Sequence, residues 1–510
     1  MNASAVSHDV QASFDALQER LVPLWRSIRE LSLDPQTIVV VPSISIDLVD
    51  SAHIPMQTYE ERMLFMLLLL RQPRARLVFV TSQPIQPSTI DYYLGLVPGV
   101  DRDDARARLF PVAVLDGSSR PLTEKLLERP RSVARVRDLV LDAERAHLVP
   151  FVATALEREL ALRLGVPMYA ADPRHAHFGT KSGGRRLFAE EGVAHPRGAE
   201  GLHDLDAVVA TIARLRTVTP ELGAVLVKLD EGVAGDGNAL VRFGVPEASP
   251  SALVESTRAA VESMRLEADD LTIAEFARRL AEWGGVVEER VEGSEFASPS
   301  VQMRVTPLGE LEVLSTHDQL LGGPDGQSYV GCVFPADPRY AALITDAAAA
   351  IGRRLAREGV IGRFAVDFVV VRDVDGAWMC AAIEINLRKG GTTHPFLTLQ
   401  FLTDGSYDAV TATFRTPAGA PKCFVASDNI ESSVYRQLTP DDVFETFRRE
   451  GLHFDRETET GVVAHMLAGL TERGRLGMTA IADDPDAAHE LFDRARAGLD
   501  AEAALASVET

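Results

Sequence analysis

Hydrophobic and polar positions in the first third of the chain follow two alternating rhythms. Residues 37–41, 76–81, 109–115 and 147–150 are short runs rich in Val, Ile and Leu, the pattern of buried strands. Residues 59–71, 88–96, 123–141 and 152–165 carry apolar side chains at helical spacing. Strand and helix in succession predict a parallel sheet covered on both faces. The loops leaving its strand ends, 42–47 and 82–87, are where sheets of this kind bind ligands. The region has no strand–Gly-x-Gly-x-x-Gly–helix element, which argues against a dinucleotide there.

The pattern changes near residue 171. A helix is expected over 181–191, stopped by Gly192 ahead of Pro196. Two helices and two strands are expected from there to about Gly285, including a strand at 223–229 and a returning strand at 239–243. Residues 286–415 are strand-rich, with a helix at 339–358. Residues 416–421 have linker composition, and the tail from 423 mixes short strands with an amphipathic helix at 486–505.

A length of 510 residues suggests three or four domains. The formal net charge of -22 argues against nonspecific nucleic-acid binding and against an anionic membrane surface as partner. Cys332, Cys380 and Cys423 are far apart and form no CxxC pair, so neither a zinc site nor a disulfide framework is expected, and a reducing cytoplasm is the natural home. The N-terminus lacks the basic and apolar segments of a signal peptide. The longest apolar run, 63–70, is too short to span a bilayer and reads as a buried helix.

The stretch 362–395 carries the strongest chemistry. Two apolar strands, 364–371 and 378–385, flank the Asp375-Gly376 turn. Asp367 interrupts the first strand, and Glu384 and Asn386 end the second, two positions apart and therefore on one face. A carboxylate in an apolar strand is costly unless a charge or metal neutralises it. Three oxygen ligands on one hairpin, followed at once by Arg388, Lys389 and Gly390-Gly391, point to Mg²⁺ and phosphate.

A second constellation is Lys228 near the end of its apolar strand, followed by the glycine-rich loop 231–238. Gly232, Gly235 and Gly237 free the backbone to present N–H groups to phosphate oxygens. Lys181, in FGTKSGG, fails the P-loop test because Thr180 precedes it and no strand feeds the loop. The segment 283–295 contains a short strand, then Glu288–Val291 as a possible hinge for an adenine edge, with Glu295 placed to reach ribose hydroxyls. His317-Asp318-Gln319 at a strand end could line a substrate cleft, and His394 lies close enough in sequence to Arg388 to touch substrate.

The order of these elements resembles the ATP-grasp superfamily, in which two α+β lobes close over ATP. The resemblance covers roughly 172–415, and the α/β region before it is similar to the domain that usually precedes such a fold. It implies a Rossmann-like pre-ATP-grasp domain (1–171), two ATP-grasp lobes (172–285 and 286–415) and a small α+β C-terminal region (416–510). By that resemblance Lys181 and Lys228 contact the ATP phosphates, with Gly235 and Gly237 in the phosphate lid. Glu288 and Val291 offer backbone groups to adenine, and Glu295 holds the ribose. Asp367, Glu384 and Asn386 hold Mg²⁺, and Arg388, with Lys228, neutralises the transferred phosphoryl group. EINLRKGGTTHP, together with GVVAHMLAGL in the tail, is similar to a narrower group, the pheganomycin-type peptide ligases. The implied function is an ADP-forming ligase that joins a carboxylate to an amine, with amino-acid or peptide substrates, no nucleic-acid or membrane partner, and room for a homodimer. A grasp-fold kinase and a catalytically silent nucleotide-binding module are the alternative readings.

Overall fold

The computed structural model describes residues 3–29, 34–46, 56–232, 235, 237–244, 249–268, 271–323, 326, 328–373 and 375–506. Residues 233, 234 and 236 of the glycine-rich loop, and residue 47 of the first strand-end loop, lie outside them. Strands β1 (Gln36–Val41), β2 (Ala75–Thr81), β3 (Leu109–Ala113) and β4 (Ala146–Pro150) form an all-parallel sheet in the order β3-β2-β1-β4. Alternation divides its side chains between two cores. Val39, Val41, Val78 and Val80 pack with Phe14, Leu160 and Leu164 on one side. Ile38, Val40, Leu77 and Phe79 pack on the other side with the segment around Met63–Leu70.

That segment differs from the expected α-helix. It starts as one (Met56–Glu60) and then winds as a 3-10 helix through Glu61–Arg71. It is buried on nearly every side, so tertiary packing outweighs helical propensity there. The helix expected over 123–141 is two, Leu122–Leu127 and Pro130–Asp138. Pro130 cannot donate a main-chain hydrogen bond and disfavours helix in the residue before it, so it starts a new helix.

The next region is a five-stranded antiparallel sheet. It contains β5 (Gly198–Leu202), β6 (Ala224–Leu229), β7 (Asn238–Arg242), β8 (Arg265–Leu266) and β9 (Gly285–Glu289), in the order β5-β9-β6-β7-β8. Its helices are Leu205–Val218, Pro250–Glu262 and Ile273–Trp283. The expectation of two helices and two strands missed one of the three helices, and it missed β5 and β8, which are too glycine-rich or too short to show alternation. Gly198 is required where β5 meets β9, because a Cβ there would stand 1.8 Å from the Val287 carbonyl oxygen.

The remaining strands are β10 (Phe296–Ala297), β11 (Pro299–Val305), β12 (Leu311–Gly322), β13 (Ser328–Phe334), β14 (Gly362–Arg372), β15 (Trp378–Asn386), the small pair β16 (Ser406–Asp408) and β17 (Thr413–Arg415), then β18 (Cys423–Glu431), β19 (Gly461–His465) and β20 (Arg475–Ala482). All except β16 and β17 join one nine-stranded sheet. Within it, β15 pairs with β14, and the order continues through β11, β12, β13, β18 and β20 to β19. The helix Pro338–Arg357 buries Ile344, Ile351 and Leu355 in the core that also holds Met303, Phe364 and Phe368 of this sheet.

The sheet runs across residue 416 without a break. Cys332 of β13 pairs with Ala426 of β18, so the tail continues the sheet of the preceding region. The tail also meets the first region: Tyr92 stacks on Phe444 at 4.2 Å between centroids, and its hydroxyl accepts from the Ala464 N–H at 3.0 Å. A chain ending at Pro421 is therefore expected to be insoluble, because it uncovers β13 and removes Phe424 from the core around Phe334 and Phe396. Soluble expression with full activity would show that the tail is dispensable.

Candidate active site

The β14–β15 hairpin sets its three oxygen-bearing side chains side by side. Asp367 is in register with Glu384, and Ala365 with Asn386. Asn386 Nδ2 donates to Asp367 Oδ2 at 3.0 Å. Ser300, which faces Asp367 across β11, and Gln319 on β12 also hydrogen-bond the Asp367 carboxylate. Burial, and then the charge of Glu384, push the Asp367 carboxyl up to about 6. Glu384 is met by Lys181, whose Nζ lies 2.7 Å from Oε1. Arg388 completes the group. Burial lowers its pKa, and the Glu384 and Asp367 charges oppose that shift.

Lys389, read from sequence as part of the same phosphate-facing run, is turned away. Its Nζ donates to the Pro150 carbonyl at 2.5 Å and its N–H to that of Phe151 at 3.2 Å. Successive side chains on an extended segment point to opposite sides, and this one ties the hairpin to the end of β4. Burial pushes its ammonium down to about 7.

Lys228 ends its strand as expected and is buried with a partner. Its Nζ lies 2.6 Å from Glu288 Oε2, and Arg185 takes Glu288 Oε1 at 2.9 Å. Burial alone would raise the Glu288 pKa, but Lys228 and Arg185 hold it below the usual glutamate range. Glu288 itself sits inside β9, in register with Gly198 on one side and Leu226 on the other. Its sheet neighbours and two cations give it an occupation different from the expected hinge. The chain leaves the sheet one residue later, and Arg290, Val291 and Glu292 line the cavity there. Gly232, Gly235 and Gly237 line it too, with Gly235 at φ +94°.

Glu295 is not brought to the cavity wall. Its carboxylate pairs with Arg372 at 2.6 Å and Arg339 at 3.3 Å. Beyond the turn at Gly293 the chain runs along β14, where the Arg372 N–H donates to the Glu295 carbonyl at 3.0 Å, so the side chain lies beside Arg372. His317 does not line a cleft either. It is fully buried among Phe334, Phe396 and Phe424, bonded to Ser315 at 2.8 Å, and burial pushes its imidazole down to about 3. His394 is buried against Asp428 (3.0 Å) and His465 (3.1 Å), behind the cavity wall.

The cavity has a volume of about 870 Å³, at the upper end of ligand sites. Its wall draws on every region of the chain. Ile44, Ile46, Tyr59, Arg62 and Phe151 come from the first region, Lys181 and Lys228 from the second, the β14–β15 hairpin from the third, and Asn429 and Arg475 from the tail. Tyr59, Arg62, Arg185, Ser300, Asn429 and Arg475 had no sequence signal beyond being polar residues in or beside apolar elements, whereas Gln319, in the run 317–319 expected at the cleft, does line the cavity.

The donor set on the hairpin, two carboxylates and an amide oxygen, suits a hard cation such as Mg²⁺. Burial first, and then the Glu384 charge, disfavour an ionised Asp367 carboxylate, which a cation held there would offset. Among the described residues, His394, Asp428 and His465 also lie within ligand distance of one another, but that cluster already has a counter-cation in Arg62, 2.8 Å from Asp428.

Comparison with known proteins identifies the fold and the family. The family described as "IQCH-like, ATP-grasp" matches residues 174–269 and 271–409, and that described as "PGM1 C-terminal domain" matches 442–495. The L-propargylglycine–L-glutamate ligase of Streptantibioticus cattleyicolor is 35% identical over 435 residues, covering 84% of this chain and 86% of that protein. The IQ motif-containing protein H of Danio rerio is 23% identical over 94% of this chain, which spans only 50% of that protein. Among solved structures, a biotin carboxylase from Campylobacter jejuni aligns with a TM-score of 0.53 and 12% identity, over 94% of this chain and 96% of that one. An ADP complex of N5-carboxyaminoimidazole ribonucleotide synthetase aligns with a TM-score of 0.51 and 11% identity, over 92% and 98%. The chain belongs to the ATP-grasp superfamily and is an ATP-dependent carboxylate–amine ligase. Within that superfamily it groups with the pheganomycin-type peptide ligases.

Proposed function

We propose that this ligase activates the carboxylate of one amino acid or short peptide as an acyl phosphate, which the amine of a second then attacks to form an amide. ATP would lose its terminal phosphoryl group to a substrate carboxylate oxygen, leaving ADP. The amine nitrogen would then bond to the acyl carbon, with phosphate leaving and the amine proton passing to solvent. The observation that carries this reading is the convergence of Lys181, Arg388 and the Asp367–Glu384–Asn386 hairpin on one cavity larger than a nucleotide needs. Amino-acid substrates are supported by the name of the relative from Streptantibioticus cattleyicolor.

Asp367, Glu384 and Asn386 would hold Mg²⁺, which when bound supplies charge neutralisation for the nucleotide phosphates. Lys181 and Lys228 would bind the phosphates, and Val291 with its neighbours would meet the adenine edge. Arg388 offers a planar fork that can grip both the phosphoryl oxygens and the developing oxyanion. The glycine-rich loop would cover the site and exclude water, protecting the acyl phosphate from hydrolysis. Use of ATP and three unpaired thiols favour a cytoplasmic setting.

Hydroxylamine supplied in place of the amine is expected to yield a hydroxamate, with one ADP and one phosphate released per product. Appearance of AMP and pyrophosphate would mean adenylation and would sink the acyl-phosphate route. ADP release independent of any amine, with a phosphorylated product, would mean a kinase.

A further inference from the structure

One part of the cavity wall has no role in nucleotide or metal binding. Arg62 and Arg475 lie over the same ring, that of Tyr59, at 4.4 and 5.7 Å from its centroid. Arg475 is fixed by its Nε on the Asp428 carbonyl at 2.9 Å and by a hydrogen bond to Asn429 Oδ1. Arg62 places one guanidinium nitrogen on Asp428 Oδ2 at 2.8 Å. Its Nε is buried without a hydrogen-bond partner. The other Asp428 oxygen is taken by His394 and His465, at 3.0 and 2.9 Å. Among the described residues Asp428 is the one carboxylate paired with this corner, and it is shared among several donors, while Arg62 and Arg475 bring two guanidinium groups to the cavity wall.

Arg62 and Arg475 come from the first region and the tail, apart from the lysines and the hairpin assigned to phosphates and metal, yet they line the same cavity. Ile44, Ile46 and Phe151 supply apolar surface in the same cavity.

We propose that Arg62 and Arg475, steadied by Tyr59, Asn429 and Asp428, bind a carboxylate carried by the amine substrate, which makes that substrate an α-amino acid or a peptide with a free C-terminus. This rests on the ligase reading above. The bound carboxylate is not the one activated; its partners hold the amine so that its nitrogen faces the acyl phosphate. His394 and His465 act through Asp428 as positioning residues for Arg62.

The test uses the full-length enzyme with L-alanine and L-glutamate as amines, each beside its α-carboxamide. The wild type is expected to prefer the acids by at least about 100-fold in kcat/KM, since a site built for an anion is left unpaired by the amide. Arg62→Lys keeps the charge and the fold but loses the fork. It is expected to narrow the preference to about 10-fold or less through KM for the amine, with KM for ATP unchanged. Calorimetry of the same probes with Mg-ADP present reads binding without turnover. Arg62-dependent binding of acids without any amide product would overturn the ligase reading and leave the subsite standing. Carboxamides used as well as acids, an equal loss on both in Arg62→Lys, or no saturable binding of either acid, would overturn the subsite.

Discussion

Asp367→Asn is expected to abolish turnover and, in the same protein, to raise the melting temperature of the ligand-free form at neutral pH. Burial and the Glu384 charge lift the Asp367 carboxyl from its ordinary 3.8 to about 6. A carboxylate whose folded pKa lies above its unfolded value binds its proton more tightly when folded. Its ionisation therefore costs stability progressively as pH rises from about 4 to 6, and the full cost is present at pH 7. Asparagine removes the charge and keeps partners, because Ser300 and Gln319 can each donate or accept. The gain should be clear at pH 7 and vanish near pH 4. Turnover should fall by about 1,000-fold or more, because a metal-binding carboxylate supplies several kcal/mol of transition-state stabilisation. Glu384→Gln is expected to lose as much activity without the stability gain, since it strips Lys181 of its counter-charge. Scanning calorimetry at the two pH values and ADP-release rates check both halves. A lower melting temperature for Asp367→Asn at pH 7, or turnover within tenfold of wild type, would contradict the assignment.

Glu288→Leu is expected to have the largest effect on folding. Glu288, Lys228 and Arg185 are 2%, 6% and 3% exposed, and the carboxylate is the counter-charge for both cations. Removing it leaves Lys228 without its carboxylate and Arg185 with Glu200 alone, at 3.3 Å. Breaking a buried pair in this way typically costs about 3–5 kcal/mol. Urea unfolding should show that loss, and it should shrink at pH values below the usual glutamate range, where protonation of Glu288 weakens the wild type as well. Lys228→Met should cost less, because Glu288 keeps Arg185, while the affinity for ATP falls. A midpoint for Glu288→Leu equivalent to less than about 1 kcal/mol of destabilisation would mean that the three groups do not depend on one another.

The contrast between these residues shows what could be read along the chain. Asp367, Glu384 and Asn386 were legible because the hairpin is local. A turn at Asp375-Gly376 closes the hairpin, and a one-residue register shift between the Phe368–Ala382 and Asp367–Glu384 pairs then sets the three side chains together. The parallel order of the first sheet followed likewise from the succession of apolar runs and helices. Lys181 was not legible as a site residue from its own surroundings. Only the docking of its helix against β15 sets it 2.7 Å from Glu384. Glu295 was placed on the ligand side from its position beyond the Gly293 turn, whereas contact of that segment with β14, distant in sequence, sets it beside Arg372.

Sequence by itself determined the elements whose causes are periodic or adjacent: the strands, most helices, the oxygen-bearing hairpin and the glycine-rich loop behind Lys228. Tertiary structure decided everything that depends on distant segments meeting. The tail became the outer strands of the sheet that carries the site, because the edge of β13 and its aromatic core needed covering. Tyr59 and Arg62 share a wall with Asn429 and Arg475, more than 360 residues apart in the chain, because burying Met63–Leu70 requires the tail as well as the first sheet. Alternation within a strand is fixed by backbone geometry, whereas such long-range contacts are fixed by which apolar faces remain to be buried.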